Sequence, residues 1–422
     1  MFLFNDLLVE TIKKGKKFHF VQEIRLPSVG VVEDSPLSLT FHIPGNAESA
    51  PCPRYVFESA KEQEEAKKSI LATCAEAITS LPQASASLSS SPFPVAAVDC
   101  AVARVDHHIY VFGGQSSPGE ASDGFFRGTI AASSSDVVEW VELPSSPGRP
   151  SARSGHSLTT VGQSLYLFGG FTGTERLNDL YVYDIASGQW TLENGLQGLP
   201  PSPRSGHSVV VAADGRRVFV FGGATTGKLF NDIYILDLKS RTWTPLLPKV
   251  TGTPPKPRYN ASAVLNGNKI VLHGGASQFG GLSDVWVFDL TELLWTELKT
   301  VGESPGEVFG QAVGNIGGNM GGNIVLYGGK GSPSDVAHVL CFEDLVWDLV
   351  RLPKEQVPAS SPHLGPAVEG PDGCSLIVVS GQFQQAPAVC LSFSKYRQTQ
   401  SFKADSGDVG SKRPTFEESV IP

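Results

Sequence analysis

The chain has 422 residues, of which 18% are charged and 41% are hydrophobic, the balance of an ordinary soluble protein. A formal net charge of −9 at pH 7 argues against a nucleic-acid partner, because binding to phosphates needs a basic field. No apolar run reaches about 18 residues, no signal-peptide core is present, and the six cysteines lack metal-ligand spacing. We therefore expect a cytoplasmic protein without a metal or a cofactor.

Residues 1–80 are predicted to form a small sheet followed by one helix. Short runs rich in aromatic and β-branched residues predict strands at residues 2–9, from residue 18, and near residues 37–43 and 54–57. The lysine-rich residues 13–17 predict an exposed hairpin turn. Apolar side chains at helical spacing predict an amphipathic helix from Glu58 to about Thr79.

These residues resemble part of a pleckstrin-homology (PH) domain. Phe2-Leu-Phe-Asn-Asp-Leu-Leu resembles the third strand of the PH domains of Rho-type guanine-nucleotide exchange factors, and Tyr55-Val-Phe-Glu-Ser-Ala resembles the end of that domain. The resemblance implies a partial PH-like domain that lacks the first two strands, where the family has its phosphoinositide site. Phosphoinositide binding by the lysine cluster is therefore doubtful, since such a run is more typical of a solvated turn. The lysines of this cluster are Lys13, Lys14, Lys16 and Lys17.

The partial domain has open sheet edges, which are unstable when uncovered. The remainder of the chain, predicted below to be a propeller, or a partner could cover them, or the chain could be an N-terminally truncated gene product, which we favour. Residues 81–97 are rich in Ser and Pro and predict a flexible linker. Residues 403–422 lack apolar periodicity and predict a disordered tail.

Residues 98–402 contain an internal repeat with a period near 52 residues. Five tryptophans recur at steps of 50, 53, 52 and 52, and five glycine pairs recur at steps of 56, 53, 52 and 54. Two residue types in register over this length indicate one copied supersecondary unit. The tryptophans are Trp140, Trp190, Trp243, Trp295 and Trp347, and the pairs begin at Gly113, Gly169, Gly222, Gly274 and Gly328.

Each unit is predicted to be a four-stranded antiparallel sheet. In the third unit, runs from Ser205, Arg217, Ile233 and Trp243 alternate with turns rich in Gly, Asp and Asn. A single sheet cannot bury its two apolar faces, whereas identical sheets packed around an axis can. We predict a β-propeller of six blades, with five or seven as alternatives. The way in which the ring closes is left open.

The repeat resembles the kelch repeat. The sequence Arg-Ser-Gly-His-Ser, then Phe-Gly-Gly, then Asn-Asp-Leu-Tyr-Val-Tyr-Asp and a tryptophan over residues 153–190 carries the resemblance. It weakens at both ends: the first unit has a long insertion from Gln115 to Ser135, the fifth lacks the leading arginine, and the sixth lacks the tryptophan. The fold class that this implies is all-β, a six-bladed kelch-type propeller after a partial PH-like sheet with one C-terminal helix.

Residues present in every unit are interpreted as structural. His156 and His207 occupy the same position in successive repeats, whereas a catalytic base normally occurs once. Asp184, Asp237 and Asp289 end the third strands and suit side-chain bonds that start turns. No nucleophile elbow, zinc-binding helix or phosphate loop is found, so we expect no catalytic or metal-binding residues.

The candidate binding residues lie in loops of one face of the propeller. Arg153, Arg204 and Arg258 precede the first strands, and in kelch receptors for acidic peptides the matching arginines point into the pore mouth. The alternative is that each guanidinium caps neighbouring carbonyls. The loops between second and third strands add residues that vary between blades, as interface anchors do. These are Arg176, Lys228, Phe230 and Phe279, with Phe125, Phe126 and Arg127 from the long first-blade insertion.

Three functions follow from these features. The leading hypothesis is a non-catalytic scaffold whose propeller face binds a protein partner in small-GTPase or cytoskeletal signalling, with an acidic peptide as one form of partner. The second is the regulatory PH–kelch tail of a Rho-family exchange factor that lacks its catalytic domain. The third is a small-molecule enzyme in the propeller well. The sequence specifies neither the partner nor the oligomeric state.

Overall fold

A computed structural model describes the chain as two compact units, Met1–Gln83 with Gln398–Pro422, and Ala84–Arg397. In the first unit it describes the strands between residues 2 and 56. In the second it describes residues 84–93, 98–117, 119–131, 136–246, 253–316, 322–352, 357, 366–379 and 387–393.

The described strands of the first unit form two antiparallel sheets. Phe2–Phe4 pairs with Leu7–Lys14, which pairs with Lys17–Arg25. Gly30–Ser35, Ser38–His42 and Arg54–Val56 form the second sheet in that order. The hairpin predicted at the lysines is confirmed, because Lys14 is paired with Lys17. The predicted strand over residues 2–9 is instead two strands, with Phe2 paired to Val9. The helix predicted over residues 58–79 and the tail at 403–422 lie outside the described residues.

The described residues of the second unit form six blade sheets, each with four antiparallel strands and two of them with a fifth, parallel strand, which confirms the prediction of a six-bladed propeller. Blades 1 to 5 each follow chain order from the inner strand outwards. Blade 1 consists of Ala101–Val105, His108–Phe112, Phe125–Ile130 and Val137–Glu142. Blade 2 consists of Ser157–Val161, Ser164–Phe171, Arg176–Asp184 and Gln189–Leu192. Blade 3 consists of Ser208–Val211, Arg217–Phe221, Ile233–Asp237 and Thr242–Pro245.

The remaining blades repeat this pattern. Blade 4 consists of Ser262–Asn266, Lys269–His273, Val285–Asp289 and Leu294–Leu298. Blade 5 consists of Ala312–Ile316, Asn323–Tyr327, Val336–Cys341 and Val346–Arg351. Blade 6 consists of Ala367–Glu369, Ser375–Val378, Pro387–Ser392 and, as its fourth strand, Ser85–Pro92.

Short strands extend the blades. Gln197–Gly198 and Val301–Gly302 lie parallel to the outer strands of blades 3 and 5. Small hairpins extend the loops between the second and third strands of blades 1, 3 and 4, and they project from one end of the blades. These hairpins are Gln115–Ser117 with Glu120–Ala121, Ala224–Thr225 with Lys228–Leu229, and Ala276–Ser277 with Gly280–Gly281.

The ring is closed by residues that the sequence analysis assigned to a linker. Ser85–Pro92 pairs antiparallel with Pro387–Ser392, so the start of the unit completes its last blade. The assignment of residues 81–97 to a flexible linker is therefore wrong over this strand. An outer strand needs few apolar side chains: Ala86 is buried, whereas Ser85, Ser87 and Leu88 are exposed. Its composition consequently resembles that of a linker.

The core lies in the wedges between blades, and the tryptophans fill equivalent positions there. In four of the wedges the tryptophan ring packs 5.1–5.5 Å, between centroids, from the aromatic residue that precedes the glycine pair of the preceding blade. The pairs are Phe112–Trp190, Phe168–Trp243, Phe221–Trp295 and His273–Trp347. This confirms that the repeat builds the propeller. Each ring buries roughly 150–250 Å².

The glycine pairs fasten adjacent blades. Gly223 donates its N–H to the carbonyl of Arg258 in the next blade at 2.9 Å. The preceding glycine, Gly222, has φ +64°, and a Cβ there would lie 2.9 Å from the same carbonyl oxygen. A side chain at this position would therefore meet both backbone strain and a steric clash.

Candidate functional site

The three repeated arginines form buried clamps within their own blades. Arg153, Arg204 and Arg258 are all 0% exposed. Each guanidinium donates two hydrogen bonds to an aspartate within or immediately before the third strand and one to the carbonyl of the first glycine of the pair. The aspartates are Asp179, Asp232 and Asp284, with bonds of 2.6–3.1 Å, and the carbonyls belong to Gly169, Gly222 and Gly274.

This geometry corrects the assignment of these arginines as partner-binding residues. A fully buried guanidinium whose donors are used within the chain cannot reach a partner. The alternative reading, in which the arginine caps carbonyls, describes the observed contacts, and the aspartate is an additional acceptor. Arg204 also stacks on Phe230, with its guanidinium carbon 4.2 Å from the ring centroid. Phe230 is itself buried, so it supports the clamp and is not an exposed anchor.

The clamp changes the titration of the groups around it. Burial alone would raise the pKa of Asp284, but hydrogen bonds and charge from Arg258, with a bond from Trp286 Nε1, lower it overall. Burial and the adjacent Arg204 charge lower the pKa of His207 to about 3. Burial, with the adjacent Arg153 charge, has the same effect on His156. The two histidines are thus held neutral within the wedges at pH 7.

The repeated aspartates have the predicted turn role. Asp184 Oδ1 accepts the backbone N–H of Ser187 at 2.7 Å. Asp237 Oδ1 accepts from Lys239 and Ser240, and Asp289 Oδ1 accepts from Thr291 and Glu292, at 2.8–3.0 Å. His207 Nε2 is 3.0 Å from Ser157 Oγ in the neighbouring blade, a structural contact as expected.

Three further candidates belong to a strand and not to a loop. Phe125, Phe126 and Arg127 lie in the third strand of blade 1, Phe125–Ile130. Phe125 is 1% exposed and Phe126 is 5% exposed, and both pack in the core. Arg127 is half-buried and is paired with Tyr110 on the second strand. Their assignment as partner anchors is therefore wrong for the two phenylalanines, because the hydrophobic effect places them inside a wedge.

The remaining candidates line a depression on one face of the propeller. We call this the upper face; it carries the loops that enter the first strands and those that join the second and third strands. The depression has a volume of about 970 Å³ and is lined by residues of blades 1 to 4. Arg176, Lys228 and Phe279 all lie in its lining. The structure thus brings together three of the ten predicted site residues.

The depression is rich in cations that have no carboxylate partner. Its lining contains Arg176, Lys228 and Lys256 but a single carboxylate, Asp99. Arg176 donates to the hydroxyls of Ser205 and Thr226. Among the described residues, none of the three cations lies within 4.0 Å of a carboxylate oxygen.

The face opposite the upper face, which we call the lower face, is different. There, arginines of the turns are matched with carboxylates at 2.5–2.7 Å. The pairs are Arg216–Asp237, Arg217–Asp214 and Arg241–Glu193. Cations without a carboxylate partner therefore surround a concave site on a chain of net charge −9.

One large apolar side chain stands at the rim. Phe279, at the tip of the blade 4 hairpin, is 90% exposed. The depression also includes Lys256, Tyr259 and Asn260, which the sequence analysis did not select. Alignment of the repeats gives the signal for two of them: Tyr259 and Asn260 replace the Ser-Gly of Ser154-Gly155 and Ser205-Gly206.

A half-buried carboxylate lies on an inner strand towards the lower face. Glu369 of blade 6 accepts the backbone N–H of Asn315 in blade 5 at 2.9 Å. Burial raises its pKa, opposed by this hydrogen bond and by the charge of Arg104. Among the described residues, no group of three His, Cys, Asp or Glu side chains could hold a metal ion. The observed role of Glu369 is to tie the last two blades together.

The sheets, the tryptophan wedges and the arginine clamps define a kelch-type β-propeller. The KLHDC2/KLHL20/DRC7 kelch-repeats domain matches residues 55–195 and 193–381, so the chain belongs to this family. In the part of the chain that the structure describes, no helix is long and apolar enough to cross a membrane.

Curated relatives share parts of the chain. It is 32% identical to tip elongation aberrant protein 3 of Schizosaccharomyces pombe over 48% of this chain and 20% of the relative. It is 32% identical to kelch domain-containing protein 3 of Bos taurus over 43% of this chain and 50% of that protein. It is 37% identical to the Rho GTPase-activating protein gacHH of Dictyostelium discoideum over 30% of this chain and 8% of that protein. The matched segments thus span half or less of the length of these relatives. The kelch relatives fit a role in protein interaction, and no catalytic family is identified.

Proposed function

We propose that the propeller is a non-catalytic interaction module that binds a protein partner in the depression of the upper face. The observation that carries this proposal is the set of cations without carboxylate partners, Arg176, Lys228 and Lys256, around a concave site on an acidic protein. Concave sites with convergent polar groups are typical binding sites.

The partner that best fits is an acidic peptide segment. Its carboxylates would pair with the three cations, and Arg176 can bind a carboxylate through two parallel N–H donors. Phe279 adds apolar area at the rim that a partner side chain can cover, as aromatic anchors do in other interfaces. Salt should weaken the association, because the cations are only partly shielded from solvent.

We further propose a link to small-GTPase or cytoskeletal signalling in the cytoplasm. Two observations support it: the likeness of residues 1–80 to a PH domain of Rho-type exchange factors, and the similarity of the repeats to gacHH, whose name includes Rho GTPase-activating protein. The antiparallel hairpins of the first unit are compatible with a PH-like sheet. The regulatory tail of an exchange factor is the second form of this proposal.

A charge-reversal experiment tests the binding site. The full chain would be titrated with an acidic peptide selected from a random peptide library, by isothermal calorimetry at two salt concentrations. Arg176→Glu with Lys228→Glu should weaken binding at least tenfold. The matched control is Lys239→Glu with Lys269→Glu, since both lysines are exposed on the lower face, Lys239 in a turn and Lys269 at the start of a strand; this variant should bind as the wild type does. Equal affinity of the two double variants would overturn the proposed site.

A further inference from the structure

The floor of the depression is built from a ring of left-handed backbone. Five equivalent residues, one from each of blades 1 to 5, lie immediately after the bridge residue that enters the first strand. In blades 2 to 5 this residue donates its N–H to the carbonyl of its counterpart in the preceding blade, at 2.7–2.9 Å. The five residues are Asp99, Gly155, Gly206, Asn260 and Gly310, with φ values of 56°, 58°, 64°, 50° and 65°.

Two of these five residues carry a side chain where the geometry favours glycine. Left-handed backbone is unfavourable for residues with a Cβ, although Asp and Asn tolerate it better than most. Asp99 belongs to blade 1 and Asn260 to blade 4, so in a ring of six blades they stand opposite one another. Both line the depression. The floor therefore presents a carboxylate and an amide from opposite sides.

The amide of Asn260 occupies space that the glycine repeat leaves open. Its Oδ1 lies against Gly206, at the place where a Cβ of residue 206 would stand. The side chain is half-buried and, among the described residues, makes no hydrogen bond. No hydrogen bond to the described part of the propeller therefore accounts for an amide at this position.

Asp99 is the one carboxylate in a lining that otherwise carries positive charge. An ionised carboxylate offers about four acceptor positions, so it can accept from a ligand in addition to the contacts that it makes within the chain. The charges that the rim and the floor present to a ligand are consequently opposite in sign. The rim presents Arg176, Lys228 and Lys256, whereas the floor presents only acceptor groups and the amide donor of Asn260.

We propose that Asp99 and Asn260 determine specificity by accepting hydrogen bonds from one basic side chain of the bound peptide. This inference rests on the proposed function, in which the rim cations bind acidic residues. The ligand is then a segment in which a lysine or arginine is flanked by aspartates or glutamates. The basic side chain reaches the floor while its acidic neighbours pair with the rim.

The test is a peptide selection that reads out sequence preference. A random 12-residue library would be selected on the full-length wild type and on Asp99→Gly, Asp99→Asn and Asn260→Gly. The wild type should enrich acidic peptides with one Lys or Arg. Both Asp99 variants should still enrich acidic peptides but lose the basic residue, and a wild-type-selected peptide should bind them at least tenfold more weakly. Asn260→Gly should reduce the affinity less, about threefold.

The glycine variants separate recognition from folding. Glycine is the residue that blades 2, 3 and 5 already use at this position, so both glycine variants should melt at or above the wild-type temperature. The inference would be overturned if the peptides selected on the wild type contained no Lys or Arg. It would also be overturned if the peptides selected on both Asp99 variants kept that basic residue. Failure of the wild type to enrich acidic peptides at all would contradict the proposed function itself. If both Asp99 variants lost affinity and also melted at a lower temperature, the inference that Asp99 determines specificity would be overturned as well.

Discussion

At the scale of single residues, the repeat separates backbone requirements from side-chain requirements. Gly222 and Gly215 have nearly the same positive φ, +64° and +62°. Only Gly222 is close to another chain segment, since a Cβ at residue 215 would meet nothing within 4 Å. A side chain at residue 215 would therefore meet backbone strain alone, whereas one at residue 222 would meet backbone strain and a steric clash.

Gly222→Ala should destabilise the propeller far more than Gly215→Ala. The left-handed backbone costs an alanine about 1–2 kcal/mol at either position. At residue 222 the methyl group would also displace the Arg258 carbonyl that accepts from Gly223, so we expect a total of about 3–5 kcal/mol. Urea unfolding followed by tryptophan fluorescence measures both, because all six tryptophans lie within residues 140–347. Equal losses would show that the close approach between blades is not a source of stability.

The same scale explains which site residues the sequence could predict. Arg176, Lys228 and Phe279 vary between blades and lie where polar loops were expected, so they could be selected from the repeat alone. The clamp arginines could not be assigned, because burial depends on an aspartate about 26–28 residues later in the chain. Phe125 and Phe126 were misplaced because the insertion in blade 1 hides where the third strand begins.

At the scale of secondary-structure elements, the strands of the propeller were predictable and the closing strand was not. Inner strands are buried on both faces, so β-branched and aromatic residues mark them clearly. Ser85–Pro92 has a neighbour on one side only and is mostly polar. Its pairing is decided by the open edge of Pro387–Ser392, about 300 residues away in sequence, which local composition does not reveal.

The closing strand, Ser85–Pro92, should keep its stability when a charged residue is placed on its exposed face but lose stability when one is placed on the face that packs in the core. Ala86 is 3% exposed and packs in the core cluster between blades 5 and 6, whereas Ser87 is exposed. Ala86→Asp should cost about 2–4 kcal/mol, because it buries a carboxylate without a partner. Ser87→Asp should change the stability by less than about 0.5 kcal/mol. Urea midpoints of the two variants provide the comparison, and a similar effect of both would show that residue 86 does not face the core.

At the scale of the whole propeller, repeated residues stabilise the ring and unrepeated residues form the binding surface. The tryptophan wedges, glycine pairs and arginine clamps recur from blade to blade and are buried. Phe279, Lys256 and Asn260 differ between blades and line the depression. The left-handed backbone of Asp99 and Asn260 and the unpaired cations thus occur at one site on the upper face, as expected for a binding site on a rigid scaffold.

All of these roles depend on a ring that closes through its own first strand, and a disulfide introduced at the seam tests this directly. Ser87 is paired with Cys390 across the two strands, so Ser87→Cys should form an intrachain disulfide with Cys390 under mild oxidation. Leu88→Cys is the matched control, since adjacent strand residues face opposite sides and its partner is Val389. Mass spectrometry of non-reduced peptides should show the 87–390 bond within monomers and no 88–390 bond. Absence of the 87–390 bond, or its formation only between two chains, would contradict closure of the ring by residues 85–92.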